Sequence, residues 1–117
     1  MTTEIFGDVL VAHTPEELTD ETIPAVQNTI EEAVTAGRCK IVLQMDRSDA
    51  FDSAGLTALF DMQDQLRSEG GRLAICGLRD HGQKVFEITR MDRWLDLYDS
   101  VTDAVSSFRQ TLPTSRN

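Results

Sequence analysis

Short runs of apolar residues alternate along this chain with longer segments in which apolar residues recur every three or four positions. The short runs are typical of strands and lie at residues 9–12, 40–45, 72–76 and 95–98. The longer segments begin near residues 20, 56, 80 and 100, and their one-sided spacing is typical of amphipathic helices. Strands that alternate with helices indicate an α/β fold in which parallel strands are joined by right-handed crossovers.

Turn residues and polar segments separate the predicted elements. Gly7-Asp8 predicts a turn that leads back from an edge strand at 4–6 to the apolar run at 9–12. Residues 14–19 are polar and contain a proline, so they are predicted to form a loop. The polar residues 46–49 predict a second loop, directly before the second long helix.

Helical spacing also predicts which side chains enter the core. Leu59 and Val105 lie on the apolar stripes of the second and the last helix, and we expect both to be buried. In the second helix, the residues predicted to face inward are Leu56, Leu59, Phe60 and Leu66. Those predicted to face outward are Thr57, Asp61, Asp64 and Ser68.

Length and composition indicate one ordinary globular domain. The chain has 117 residues, of which 40% are hydrophobic and 26% charged, and we assign residues 1–112 to a single domain and 113–117 to a flexible tail. The formal charge of −9 argues against nucleic-acid binding, which requires a basic surface. No apolar stretch approaches the roughly 20 residues of a membrane span, and the N-terminus lacks a signal-peptide pattern. We therefore expect a cytoplasmic protein that does not insert into membranes.

Residues 51–56 carry the most informative local pattern. Asp52 and Ser53 are both good N-cap residues, placed where helical spacing begins. Gly55 in the first turn is unfavourable for a helix by about 1 kcal/mol relative to alanine, which suggests that another part of the molecule approaches the backbone there. A hydroxyl group at a helix N-terminus is also well placed to contact or carry an anion.

Catalytic residues are not expected. Ser53 and Cys76 are candidate nucleophiles and His13 and His81 candidate bases, but no motif brings a base to a nucleophile. The two cysteines, 37 residues apart, lie beside or within strands, so we expect buried apolar roles.

Metal ions and cofactors are not expected either. Asp46, Asp49 and Asp52 are spaced like the first ligands of a calcium loop, but Phe51 and Thr57 occupy the positions of its glycine and bidentate glutamate. A glycine-rich phosphate loop with its lysine is also missing.

The sequence Asp52-Ser53-Ala54-Gly55-Leu56 resembles the Asp-Ser-Ser-Gly-Leu motif of STAS domains, the family of anti-sigma factor antagonists and sulfate-transporter tails. The order of elements from about residue 9 to 108 is similar to that family too, including a Gly-Gly turn at 70–71 before a strand. The resemblance implies a small mixed sheet of four or five strands, with helices mainly on one face. It also implies that the start of the motif helix is exposed at one end of the sheet.

The resemblance further implies a regulatory protein that binds an anti-sigma factor of the serine-kinase type and releases sigma factor by competition. The contact would be made by the loop before the motif and the exposed face of its helix. The expected partner-binding residues are Asp49, Asp52, Ser53, Ala54, Thr57 and Asp61. A small subunit of a phospholipid-transport ATPase complex is the alternative, since such subunits also carry Ser or Thr followed by Ala-Gly at this place. The oligomeric state stays open.

Two departures from the family pattern concern regulation. The serine that relatives phosphorylate to end partner binding is replaced by Ala54, which leaves Ser53, one residue earlier, as the candidate phosphorylation site. We expect Ser53 to point toward the first-turn N–H groups as a cap, so that phosphorylation by a partner kinase fails. The family's Gly-Glu-Leu-Asp near the first helix aligns with Glu16-Glu17-Leu18-Thr19, without its glycine and aspartate.

Overall fold

Five strands form one mixed sheet in the computed structural model, which describes residues 2–48 and 50–109. The described residues form seven strands in all: β1 (Thr3–Phe6), β2 (Val9–His13), β3 (Glu17–Leu18), β4 (Lys40–Gln44), β5 (Ala50–Phe51), β6 (Arg72–Cys76) and β7 (Asp96–Tyr98). All but β3 and β5 belong to the main sheet. The helices are α1 (Ile23–Thr35), α2 (Ser53–Ser68), α3 (Asp80–Ile88) and α4 (Val101–Arg109), with a 3₁₀ turn at Met91–Arg93. The predicted tail at 113–117 lies outside the described residues.

The order of strands in the main sheet is β1-β2-β4-β6-β7. β1 is antiparallel to β2, as the Gly7-Asp8 turn predicts, and the remaining pairs are parallel. The predicted α/β sheet of four or five strands is therefore confirmed.

Both faces of the sheet are covered, which explains the continuous apolar runs of its central strands. Ile41 and Leu43 face a large core formed with α1, α2 and α3, whereas Val42 faces a smaller core with α4. Three helices thus lie on one face and one on the other, so the expectation of helices mainly on one face is confirmed. Leu59 is fully buried in the large core and Val105 is buried in the small one, as predicted.

The loop predicted at residues 14–19 is partly wrong. Glu17 and Leu18 pair in parallel with Ala50 and Phe51, so β3 and β5 form a separate two-stranded sheet. A strand of two residues is too short to produce a period-2 pattern, and pairing across about thirty residues leaves no local signal. The pairing buries Leu18 completely and holds the segment before α1 against the start of α2.

The inward face of α2 also differs from the prediction at one position. Phe60 was predicted to face the core, but 39% of its surface is exposed. The buried stripe consists of Gly55, Ala58, Leu59, Met62, Gln63 and Leu66. Phe60 lies outside this buried stripe. The stripe includes the small Gly55 and the polar Gln63, which hydrophobic spacing alone does not reveal.

Gln63 is a buried polar residue whose amide is fully used. Its Oε1 accepts from the backbone N–H of Leu73 at 2.7 Å, and its Nε2 donates to the carbonyls of Leu73 and Trp94 at 3.0 and 3.3 Å. The pairing of β6 with β7 begins only at Ala74, so the amide satisfies backbone groups that have no strand partner at this point. Gln63 therefore joins α2, β6 and the turn that carries Trp94.

None of the described helices is long and apolar enough to cross a membrane.

Candidate functional site

The N-terminus of α2 is capped by Asp52. Its Oδ1 accepts from the backbone N–H of Gly55 at 2.7 Å, so Asp52 is the one of the two candidate caps that opens the motif helix. Its Oδ2 accepts from the N–H of Asp20 at 3.4 Å, just before α1. The carboxylate of Asp52 thus holds the starts of α1 and α2 together while remaining partly exposed.

The expectation that Ser53 acts as a cap is wrong. An N-cap residue has extended backbone angles, and Asp52 adopts them with φ −111° and ψ 177°. Ser53 is already the first helical residue, and its side chain is exposed. Because one helix has one N-cap position, the longer-reaching Asp52 carboxylate occupies it and leaves the Ser53 hydroxyl at the surface.

Gly55 is required by a close backbone contact, as its place in the first turn suggests. A Cβ atom at this position would lie 2.1 Å from the carbonyl oxygen of Leu18, far inside van der Waals contact. The same carbonyl accepts from the N–H of Asp52 at 3.3 Å. The glycine of the motif therefore allows the short strand β3 to pack directly on the first turn of α2.

A shallow open groove of about 460 Å³ lies between the starts of α1 and α2. Four of the six predicted partner-binding residues line it: Ser53, Ala54, Thr57 and Asp61. Asp52 lies behind them as the cap, and Asp49 lies outside the described residues. The structure thus brings most of the predicted patch together on one surface.

The opposite wall of the groove was not predicted as part of the site. It consists of Asp20, Ile23, Pro24 and Gln27, at and before the first turns of α1. The alignment of residues 16–19 with a family motif near the first helix was the available signal, because it marks the segment that leads into this wall. Sequence spacing could not show that the two helix starts lie side by side.

The groove is acidic. Asp20 and Asp61 line it, and within the part of the chain that the structure describes no lysine or arginine does so. Together with the formal charge of −9, this arrangement favours a partner that presents basic side chains.

The groups considered for catalysis lie in different environments. Burial and the nearby charge of Asp46 raise the pKa of the Cys76 thiol to about 11, so it is protonated at neutral pH and is a poor nucleophile. His13 Nε2 lies 3.2 Å from Glu4 Oε1 at the edge of the sheet, and His81 is exposed on α3. Among residues 2–48 and 50–109, no three His, Cys, Asp or Glu side chains are grouped as metal ligands.

A second depression, of about 550 Å³, lies away from the predicted patch. It is formed by α3, the 3₁₀ turn, β7 and α4, and its acidic residues are Glu87, Asp92, Asp99 and Asp103. Neither the motif nor the patch expected from the resemblance contributes to its lining.

Comparison with known proteins identifies the family. The STAS domain family profile matches residues 1–104, which is most of the chain. The chain is also 34% identical over 80 residues to BtrV of Bordetella bronchiseptica, named as a candidate anti-sigma factor antagonist, with 68% of this chain and 69% of that protein covered. This protein therefore belongs to the STAS domain family, and within it resembles the anti-sigma factor antagonists.

Solved structures confirm the fold. A candidate anti-sigma factor antagonist from Thermotoga maritima superimposes with a TM-score of 0.83 at 23% identity, covering 92% of this chain and 93% of that one. The anti-sigma factor antagonist SpoIIAA of Bacillus, in its unphosphorylated form, gives a TM-score of 0.77 at 18% identity, covering 95% and 97%. At these identities the likeness establishes the shared fold.

Proposed function

We propose that this protein is an anti-sigma factor antagonist that binds a serine-kinase-type anti-sigma factor through the groove between α1 and α2. Residues Ser53, Ala54, Thr57 and Asp61 would make the contact, with Asp20, Ile23 and Pro24 opposite them. Asp52 would hold the two walls together, and Asp49, which lies outside the described residues, is the remaining contact expected from the sequence. The observation that carries the proposal is the acidic groove at the motif, lined by the residues expected to bind the partner.

Binding would release sigma factor by competition in the cytoplasm. A partner surface that holds this groove cannot hold sigma factor in the same place, so the two proteins would exclude each other. Such a role needs an exposed, pre-formed surface and no reactive group. The groove is compatible with this role, because Asp52 and Gly55 fix both of its walls through backbone contacts.

Thr57→Arg is expected to weaken partner binding by about 10- to 100-fold, since a cation in the groove would repel a basic partner and fill the contact space. The measurement is isothermal titration calorimetry with a panel of purified serine-kinase-type anti-sigma factors from the source organism. Thr102, which is also an exposed threonine but lies on α4 across the sheet, provides the matched control: Thr102→Arg should bind like the wild type. Equal affinity of both variants would contradict the role of the groove.

Phosphorylation at the motif is expected to fail in the natural chain. Ala54 has no acceptor group, and moving the acceptor to Ser53 turns the side chain by about 100° around the helix axis. A kinase places the acceptor hydroxyl in line with the transferred phosphoryl group, so such a displacement is costly. The Ser53 hydroxyl is exposed and therefore accessible, but its side chain still points in a different direction from that of the usual acceptor serine.

Intact-mass spectrometry after incubation with the partner and ATP measures this directly. We expect no mass gain in the natural chain and a gain of one phosphoryl group in Ala54→Ser. A gain in the natural chain that disappears in Ser53→Ala would show that Ser53 is the acceptor and that the protein retains a phosphorylation switch.

A structural subunit of a phospholipid-transport ATPase complex is the second candidate function. Exposed Ser53 and Ala54 before Gly55 favour it, because the alanine leaves a small docking surface without the usual acceptor hydroxyl at the motif. Affinity purification from the source cells separates the two candidates: transporter subunits recovered with the wild type, and lost with Thr57→Arg, would support this one.

A further inference from the structure

Two aromatic side chains stand at the surface beside α2. Phe60 is 39% exposed and Trp94, just after the 3₁₀ turn, is 55% exposed. Their rings meet edge to face, with centroids 5.6 Å apart and planes at 83°. Exposed large aromatic residues in contact with each other form an apolar patch that the fold of the isolated chain does not bury.

The position of this pair is fixed by the core beneath it. The amide of Gln63, one turn from Phe60, donates to the carbonyl of Trp94 at 3.3 Å. The same amide is bound to the backbone of Leu73, so Trp94 is attached through it to the sheet. A backbone anchored to the core by hydrogen bonds under an exposed aromatic pair favours a pre-organised contact surface.

We propose that Phe60 and Trp94 form the apolar anchor of the surface that binds the anti-sigma factor, so that the contact extends from the groove across the outer face of α2. Tryptophan and other aromatic residues carry a large share of the binding energy in protein interfaces. This inference rests on the proposed function, since it assigns the pair to that same partner.

Continuity with the groove supports one occupant for both surfaces. Thr57 and Asp61 line the groove, and Phe60 lies between them on α2, one turn after the first and next to the second. A partner that contacts Thr57 and Asp61 therefore reaches Phe60 without leaving the helix.

Charge defines the matching partner surface. Asp61 and Asp64 follow Phe60 along the exposed part of α2, and Asp92 precedes Trp94 by two positions. Exposed Arg67 and Arg93 only partly offset these carboxylates. The surface that fits is an apolar recess bordered by lysine or arginine side chains.

The test compares the double variant Phe60→Ala/Trp94→Ala with the wild type, by calorimetry with the same panel of serine-kinase-type anti-sigma factors. We expect the double variant to lose affinity by about tenfold or more, as is typical when interface anchors are truncated. Ile5→Ala is the matched control, because Ile5 is 53% exposed on β1, at the opposite edge of the sheet. Urea unfolding of all variants verifies that each is folded under the binding conditions.

A second measurement follows Trp94 without mutation. Trp94 is the single tryptophan of the chain, so 5-fluorotryptophan labelling gives one fluorine resonance that belongs to this site. We expect this resonance to shift when a partner that binds the wild type is added.

The outcomes separate this inference from the proposed function. Suppose that the double variant binds like the wild type and the fluorine resonance does not shift, while Thr57→Arg loses binding. The aromatic pair is then not part of the contact, and the groove remains the binding site. If no anti-sigma factor of the panel binds the wild-type chain, the proposed function fails, and this inference fails with it.

Discussion

Leu59→Ala is expected to lower the free energy of unfolding by about 2–5 kcal/mol. Leu59 is fully buried where α2 packs on the sheet, within the larger of the two cores. Truncation removes apolar contacts and leaves a cavity that the surrounding residues fill only in part. Since domains of this size are stable by about 5–15 kcal/mol, the loss is a large fraction of the total.

Urea unfolding measures this loss, and Asp64→Ala provides the control. Asp64 is exposed on the same helix, so its replacement should change the unfolding free energy by less than about 0.5 kcal/mol. A loss below about 1 kcal/mol for Leu59→Ala would mean that the wrong face of α2 has been assigned to the core.

Gly55→Ala is expected to destabilise the protein by about 1–3 kcal/mol, although alanine is the better helix former. The new Cβ would lie 2.1 Å from the carbonyl oxygen of Leu18, and a backbone atom cannot move aside as a flexible side chain can. Relief requires β3 or the first turn of α2 to shift, which would also distort the groove. Partner binding should therefore weaken together with stability.

Thr57→Ala is the reference for this substitution. It also introduces alanine into α2, at an exposed position, and should leave stability unchanged or slightly raised. If Gly55→Ala proves as stable as the wild type in urea, the contact with Leu18 does not constrain the motif glycine.

The main sheet could be predicted from sequence because its signals are local. Apolar runs and helical spacing depend only on residues within one element, and Asp52 and Gly55 carry direct signals of a helix start. The Gly7-Asp8 turn was equally informative. These features together define the order of strands and helices along the chain.

The features that sequence could not reveal depend on distant contacts. The pairing of β3 with β5 joins residues about thirty positions apart, and the burial of Gln63 depends on where β7 begins. The exposure of Phe60 follows from the same shift of the buried stripe. A hydrophobic pattern places a phenylalanine in the core and a glutamine at the surface, which is the opposite of what the structure shows for Phe60 and Gln63.

Sequence reasoning identified one of the two walls of the groove. The α2 wall of the groove lies in the motif itself, whereas the α1 wall is brought to it by long-range contacts: the pairing of β3 with β5 and the hydrogen bond between Asp52 and the backbone of Asp20. The choice between Asp52 and Ser53 as the cap also required the structure, because both residue types are suited to that position.

The most direct test of the central claim is amide mapping by NMR of the ¹⁵N-labelled chain titrated with the anti-sigma factor that binds it. The proposal requires the largest shifts at Ser53, Ala54, Thr57 and Asp61 on α2 and at Ile23 and Gln27 on α1. Large shifts confined to the second depression, formed by α3, β7 and α4, with the amides of α2 unchanged, would contradict it.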